Sequence, residues 1–212
     1  LSFLIFPELI AQLTGMPYEQ YLEEQFYKPL GMKTFGFLPS TKNFSNNIVP
    51  TEIDTLYRHT VTQGWVHDEN ASLLGGISGN AGLFGTAQDL AIIMQMYVQG
   101  GLFNGKQYLS KNTVQEFTSV QYPANDNRRG LGFDKPMIEN DTLSYEDSYP
   151  SPLADLSGYG HSGFTGTFFW VDPATELIYI FLSNRVYPSR EQQAIYDLNI
   201  RKAILYEGLK IE

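Results

Sequence analysis

Three short runs of this sequence gather residue types that can do chemistry. The first, Gly160-His161-Ser162-Gly163-Phe164-Thr165-Gly166-Thr167, sets an imidazole beside a hydroxyl between glycines. Such a pair can bind a charged group, move a proton or donate a hydrogen bond. Taken alone, it is equally a strand edge with a surface histidine. The second is His67-Asp68, where the two side chains can orient one another, although a pair that fixes a loop is the simpler reading. The third runs from Gly75 to Gly85, is dense in glycine and contains Asn80. It does not match a phosphate-binding loop, because no lysine follows at the required spacing. Tight turns beside a cleft, with Asn80 at the rim, fit it better. His59, His67 and His161 fall in no HExxH or comparable pattern, so no metal site is expected.

These residues need elements to position them. Residues 8 to 14 read as a short helix stopped by Gly15, and 17 to 28 as a second helix opened by Pro17. From Phe37 to Gly64 the sequence is polar, Asn-rich and aperiodic, which predicts a long surface excursion. Thr86 followed by Asp89 resembles a capping box, and Leu90, Ile93, Met94 and Tyr97 behind it form an apolar helical stripe. Ser110 caps another helix to about Val120. The last third changes period. Residues 131–133, 159–163, 166–171 and 177–183 read as strands, with a compact turn over 172–176. A closing helix is expected over 190–207, with Ala194, Ile195, Leu198, Ile204 and Leu205 inward. Helices first, then an antiparallel sheet flanked by helices, is an α+β pattern.

Composition narrows the function classes. The formal net charge is −9, and nucleic-acid binding needs clustered Lys and Arg, so no nucleic-acid partner is expected. Arg128-Arg129, the one pair of adjacent arginines, lies in a polar loop and reads as solvated surface. There is no cysteine, which excludes disulfides and thiolate metal sites and says nothing about compartment. No apolar run reaches the ~20 residues of a spanning helix. Leu1–Phe6 is apolar but lacks the basic flank of a signal peptide. It reads as the interior of a domain, so an upstream polypeptide segment completing that domain is expected.

One family matches these pieces in order. The run Gly64-Trp65-Val66-His67-Asp68-Glu69-Asn70-Ala71, then Leu74-Gly75-Gly76, then Gly79-Asn80-Ala81-Gly82-Leu83-Phe84-Gly85-Thr86, resembles the β-lactamase-related serine hydrolases. Lys28-Pro29-Leu30-Gly31-Met32 and Gly160 to Thr167 are similar to further pieces of the same family. The resemblance implies a β-lactamase/transpeptidase-like fold, with residues 1–212 as the C-terminal portion of one domain. It implies acyl-enzyme chemistry on cell-wall peptides, β-lactams or esters, with no cofactor. It also implies an extracytoplasmic bacterial setting.

On that resemblance the site residues carry over one by one. His161, Ser162 and Gly163 stand where the family has its Lys/His-Thr/Ser-Gly strand, so His161 and Ser162 would face the substrate. The backbone N–H of Phe164 would be one of two oxyanion donors, and Asn80 would lie at the cleft rim. A histidine departs from the commoner lysine. With an ordinary pKa of ~6.5 an imidazole is cationic only in a minority of molecules at neutral pH. This favours D-amino-acid peptides, esters or amides over β-lactams. The family's other two motifs, Ser-x-x-Lys and Tyr-x-Asn, are absent. The residues three before the eight lysines are Gln25, Leu30, Pro39, Phe103, Tyr108, Gly132, Asn199 and Glu207, and none is serine.

The alternative to an enzyme is a non-catalytic β-lactamase-like module that binds cell-wall peptides or supports a fused glycoside hydrolase. In the family helix, Pro7 would fall inside and kink it. Because the nucleophile motif is missing, these 212 residues alone should not react with a fluorescent penicillin. Stoichiometric labelling, or a burst of ester hydrolysis, would contradict that expectation.

Overall fold

A computed structural model describes residues 2–42 and 47–210. The chain divides into two compact units, residues 1–92 with 184–192, and residues 93–183 with 193–212.

In the first unit a 3-10 turn over Ser2–Ile5 leads into α1, Phe6–Thr14. Pro7 lies in its first turn, where a missing N–H costs nothing, so it does not kink the helix as expected. Gly15, at φ 70°, ends α1 with its N–H on the Ala11 carbonyl. α2, Tyr18–Leu22, continues into one π-type turn over Glu23–Tyr27, so the expected second helix is present.

The expected excursion over 37–64 holds a hairpin instead, with β1 (Pro50–Asp54) antiparallel to β2 (Thr60–Gln63). The usual alternation is inverted there, which hid it. Glu52, Asp54 and Thr62 are buried, whereas Ile53 and Val61 are exposed. Residues 43–46 of that stretch lie outside the described residues.

The carboxylates of Glu52 and Asp54 can face inward here because both find partners. Asp54 accepts from the N–H groups of Leu56 and Tyr57 at 2.9 Å and from Arg58 Nη1 at 3.0 Å. Glu52 accepts from Arg190 Nε at 2.8 Å and Nη2 at 2.7 Å, and from the Arg190 backbone N–H at 2.9 Å. His67 Nε2 lies 2.7 Å from the same carboxylate. Residues 184–192 thus return to the first unit and are held on β1, where Ile53 N–H also donates to Pro188 O at 2.9 Å.

His67-Asp68 fixes a loop, as the simpler reading held. Asp68 caps α3, Glu69–Leu73, by accepting from Ala71 N–H, and Glu52 is the carboxylate facing His67. α4 spans Ala87–Val98. Thr86 caps it as expected, its Oγ1 accepting from Asp89 N–H at 3.4 Å, but the Asp89 carboxylate does not close the box. Asp89 accepts from Lys33 N–H at 2.8 Å and Thr34 Oγ1 at 2.7 Å, tying the loop after the π-type turn to the helix start.

In the second unit, β3 (Leu102–Phe103) and β4 (Lys106–Gln107) form a small hairpin before α5, Lys111–Thr118, which Ser110 caps. The strand expected at 131–133 is absent. Gly132 has φ 80°, and Asp134 makes a single bridge to Gly160.

β5 (Tyr159–Ser162), β6 (Phe168–Asp172) and β7 (Leu177–Phe181) form one antiparallel sheet in that order. Asp172 caps the 172–176 turn by accepting from Ala174 and Thr175 N–H.

The closing helix is split at Asn199, φ 49°, into α6 (Ala194–Asp197) and α7 (Ile200–Gly208). The break rotates the apolar stripe. Ile195 and Leu205 are buried as expected, but Ala194, Leu198 and Ile204 are exposed. Leu205 packs with Ala154, Phe168 and Trp170 in a core flanked by Tyr149, Leu177, Tyr179 and Phe181. The outcome is the expected α+β arrangement. Among the described residues no helix is long and apolar enough to cross a membrane.

Hydrogen bonds from Arg190, opposed by burial and aided by His67, lower the Glu52 pKa from 4.5 to about 2. A lowered acid pKa stabilises the fold fully above the unfolded value and is lost as pH falls through the folded one. Glu52 should therefore contribute about 3 kcal/mol above pH 5, vanishing toward pH 2. Urea midpoints of wild type and Glu52→Gln should converge as pH drops from 7 to 3. Parallel curves would contradict this.

Candidate active site on strand β5

The register of β5 on β6 sets which way each site residue points. Tyr159 opposes Val171, Gly160 opposes Trp170, His161 opposes Phe169 and Ser162 opposes Phe168. Opposed residues share a face, so His161 belongs with Tyr159 and Phe169, and Ser162 with Phe168 and Trp170. Phe133 covers the first face, its ring 5.2 Å from Tyr159 and 6.4 Å from Phe169, with Tyr97 5.5 Å behind it. The second face rests on the Trp170 core. Packing ends at Gly160, and both His161 and Ser162 are exposed.

Among the described residues the outer edge of β5 is bridged only at Gly160. Asp134 N–H donates to Gly160 O at 2.7 Å, and Gly160 N–H donates to Asp134 O at 3.0 Å. Both backbone groups of Gly160 therefore point away from β6. The two-residue repeat of a strand turns the Ser162 N–H and C=O to that same edge. Within this edge His161 Nδ1 lies 2.9 Å from Ser162 O. Beyond it, Gly163 N–H donates to Thr167 O at 2.8 Å and Gly166 N–H to Gly163 O at 3.0 Å. These bonds close a tight turn with Phe164 at its tip, 57% exposed. Ser183 Oγ ties the turn down by donating to Gly166 O at 2.9 Å.

The Asp134 segment is itself fixed. Arg128 Nη1 pairs with Asp134 Oδ1 at 2.6 Å and its guanidinium stacks 4.6 Å from the Tyr149 ring centroid. Arg128 is therefore not the solvated surface expected of it, whereas Arg129 is more than half exposed. Lys135 is buried and donates to Ser157 O at 2.8 Å. Burial pushes its amine down to about 8, with Asp155 pulling the other way. Nothing in the sequence marks Asp134 and Lys135 as supports of β5. Their role is set by one long-range bridge.

His161, Ser162, Gly163 and Phe164 are thus brought together by the second unit. Asn80 stands in the first unit, exposed on a tight turn, where its Oδ1 accepts from Ser78 Oγ at 2.6 Å. The neighbouring Gly79 has no room for a Cβ, because the Phe3 carbonyl occupies that space.

An open strand edge with a hydroxyl, an imidazole and a glycine turn can hold an extended polar chain by added main-chain hydrogen bonds. No lysine or carboxylate contacts Ser162 Oγ among the described residues, so nothing there activates it as a nucleophile. Among those residues no His, Cys, Asp or Glu cluster suits a metal ion either.

A family model for β-lactamase matches residues 1–202. The chain belongs to the β-lactamase family. A Salmonella enteritidis relative, provisionally named a D-alanyl-D-alanine carboxypeptidase, is 34% identical over 196 residues, covering 87% of this chain and 44% of its own length. This β-lactamase-family chain thus spans less than half the length of that relative. A Mycobacterium bovis β-lactamase superposes with TM-score 0.52 at 19% identity, covering 93% of this chain and 62% of the other. An octameric penicillin-binding protein homologue from Pyrococcus abyssi gives 0.55 at 18% identity, with 92% and 40% covered. These likenesses bear out the fold expected from the sequence.

The packing at Gly160 makes a sharp prediction. A Cβ there would strike the Phe169 carbonyl and the Trp170 ring, whereas at Gly163 it would meet only the rotatable Thr167 hydroxyl. Gly160→Ala should cost about 3 kcal/mol and Gly163→Ala about 1 kcal/mol in urea unfolding. Equal costs would contradict the account.

Proposed function

We propose that the intact protein is a serine hydrolase working through an acyl-enzyme, and that this chain supplies the strand side of its cleft. One observation carries the reading. In a chain of the β-lactamase family, β5 delivers His161 and Ser162 to an open edge just before a glycine turn.

The nucleophilic serine and its base lie on a segment outside these 212 residues. That serine attacks a substrate carbonyl, and its proton passes through the base to the leaving group. The tetrahedral oxyanion is held by the serine's own N–H and that of Phe164, and water then releases the acyl group. Ser162 Oγ donates to the substrate, and Gly163 lets the chain turn close beside it. Substrates are D-amino-acid peptides of the cell wall or related amides and esters, handled in the cell envelope. The relative's provisional carboxypeptidase name supports that class.

The same reading requires a completing segment. β7 ends the sheet, and its outer edge pairs with no strand among the described residues. The relative's greater length leaves room for such a segment. The alternative, a non-catalytic peptide-binding module, rests on the absence of Ser-x-x-Lys from these residues. It is decided by whether the intact protein turns over substrate.

In the intact protein, Ser162→Ala should lower kcat/KM for a D-alanyl-D-alanine peptide at least tenfold with an unchanged unfolding midpoint. Unaltered kcat/KM would remove β5 from the site.

A further inference from the structure

The hydrogen bond at His161 has a consequence for substrate choice. Its Nδ1 sits 2.9 Å from the Ser162 carbonyl oxygen. A carbonyl only accepts, so Nδ1 carries the proton, and in the neutral ring Nε2 is left as a bare acceptor. The ring is exposed at the end of β5, on the face of Tyr159 and Phe169. Among the described residues no carboxylate pairs with it. His67 differs, since Glu52 stands 2.7 Å from its Nε2. A lysine at this point offers three donors and a fixed charge, which suits a carboxylate. An Nδ1–H imidazole offers a lone pair, which suits an N–H.

We propose that His161 is a specificity-determining residue that accepts a hydrogen bond from substrate at Nε2. The preferred substrates are then peptides whose terminal residue is amidated or continues into a further peptide bond, ahead of those ending in a free carboxylate. This rests on the hydrolase reading above and deepens it. The carboxyl group of a free terminus would face a lone pair instead of a cation. An amide N–H at the same place satisfies both partners. The hydrogen bond itself is local: it joins neighbouring residues of one strand, so it does not require the segment that carries the nucleophile.

Two measurements test the two layers separately. Long-range 1H–15N correlation of the imidazole rings of this chain at pH 8.5, assigned with His161→Gln, should show His161 protonated at Nδ1. A proton on Nε2, or the tautomer mixture of free histidine, would overturn the inference whatever the activity. In the intact protein, kcat/KM for acetyl-D-alanyl-D-alanine amide should exceed that for the free acid about tenfold, and His161→Lys should reverse the order. Equal values, or preference for the acid in wild type, would overturn the preference. Turnover of neither peptide, with the tautomer as expected, would instead remove the hydrolase reading and the substrate preference with it.

Discussion

The second unit depends on how β5 is held at Gly160. There the strand is held from both sides, Gly160 bonding to Asp134 while its neighbours Tyr159 and His161 pair with β6, and the absence of a side chain lets Trp170 and the Phe169 carbonyl close over it. Two residues later only one edge is bonded. This asymmetry makes a site possible. The buried half of β5 supplies rigidity, and the exposed half offers His161, Ser162 and main-chain groups that are already oriented. Preorganisation of this kind lowers the cost of ordering groups when a ligand arrives. Asp134 and Lys135, buried and joined to Arg128 and the Ser157 carbonyl, extend the same support one layer outward.

The first unit is stabilised differently. Its hairpin turns charged side chains inward, where Arg190, Arg58, His67 and backbone N–H groups meet them. Removing one member of such a network leaves a buried charge without compensation, which costs more than the intact network contributes. The return segment 184–192 carries Arg190 onto Glu52 before the chain goes back to the second unit through α6. The stability of the first unit is therefore tied to pH through Glu52 and to the placement of a segment far along the sequence.

Much of this was legible in the sequence wherever local pattern and tertiary need agreed. Gly15 stops α1, Ser110 caps α5, and the alternating apolar run from Phe168 to Phe181 makes two strands around a turn that Asp172 caps. Strand β5 stands where the run around His161 led a strand to be expected. What escaped notice has a common physical cause. The β1–β2 hairpin buries polar residues, so its alternation reads backwards. The Asp89 carboxylate serves a loop more than fifty residues away instead of closing its own capping box. Asn199 adopts a left-handed conformation that splits the closing helix and rotates its inner face. In each case a long-range contact or a single backbone angle overrides the local pattern, and no window of neighbouring residues contains it.

In the proposed mechanism the intact protein reacts through a serine outside these 212 residues, with β5 serving as the opposite wall. Trapping the intact protein with a fluorescent penicillin or an activated ester, followed by peptide mapping, tests it most directly. The label should fall on one serine outside these 212 residues, with Ser162 unmodified. A label on Ser162, or on any other residue of this chain, would contradict the account.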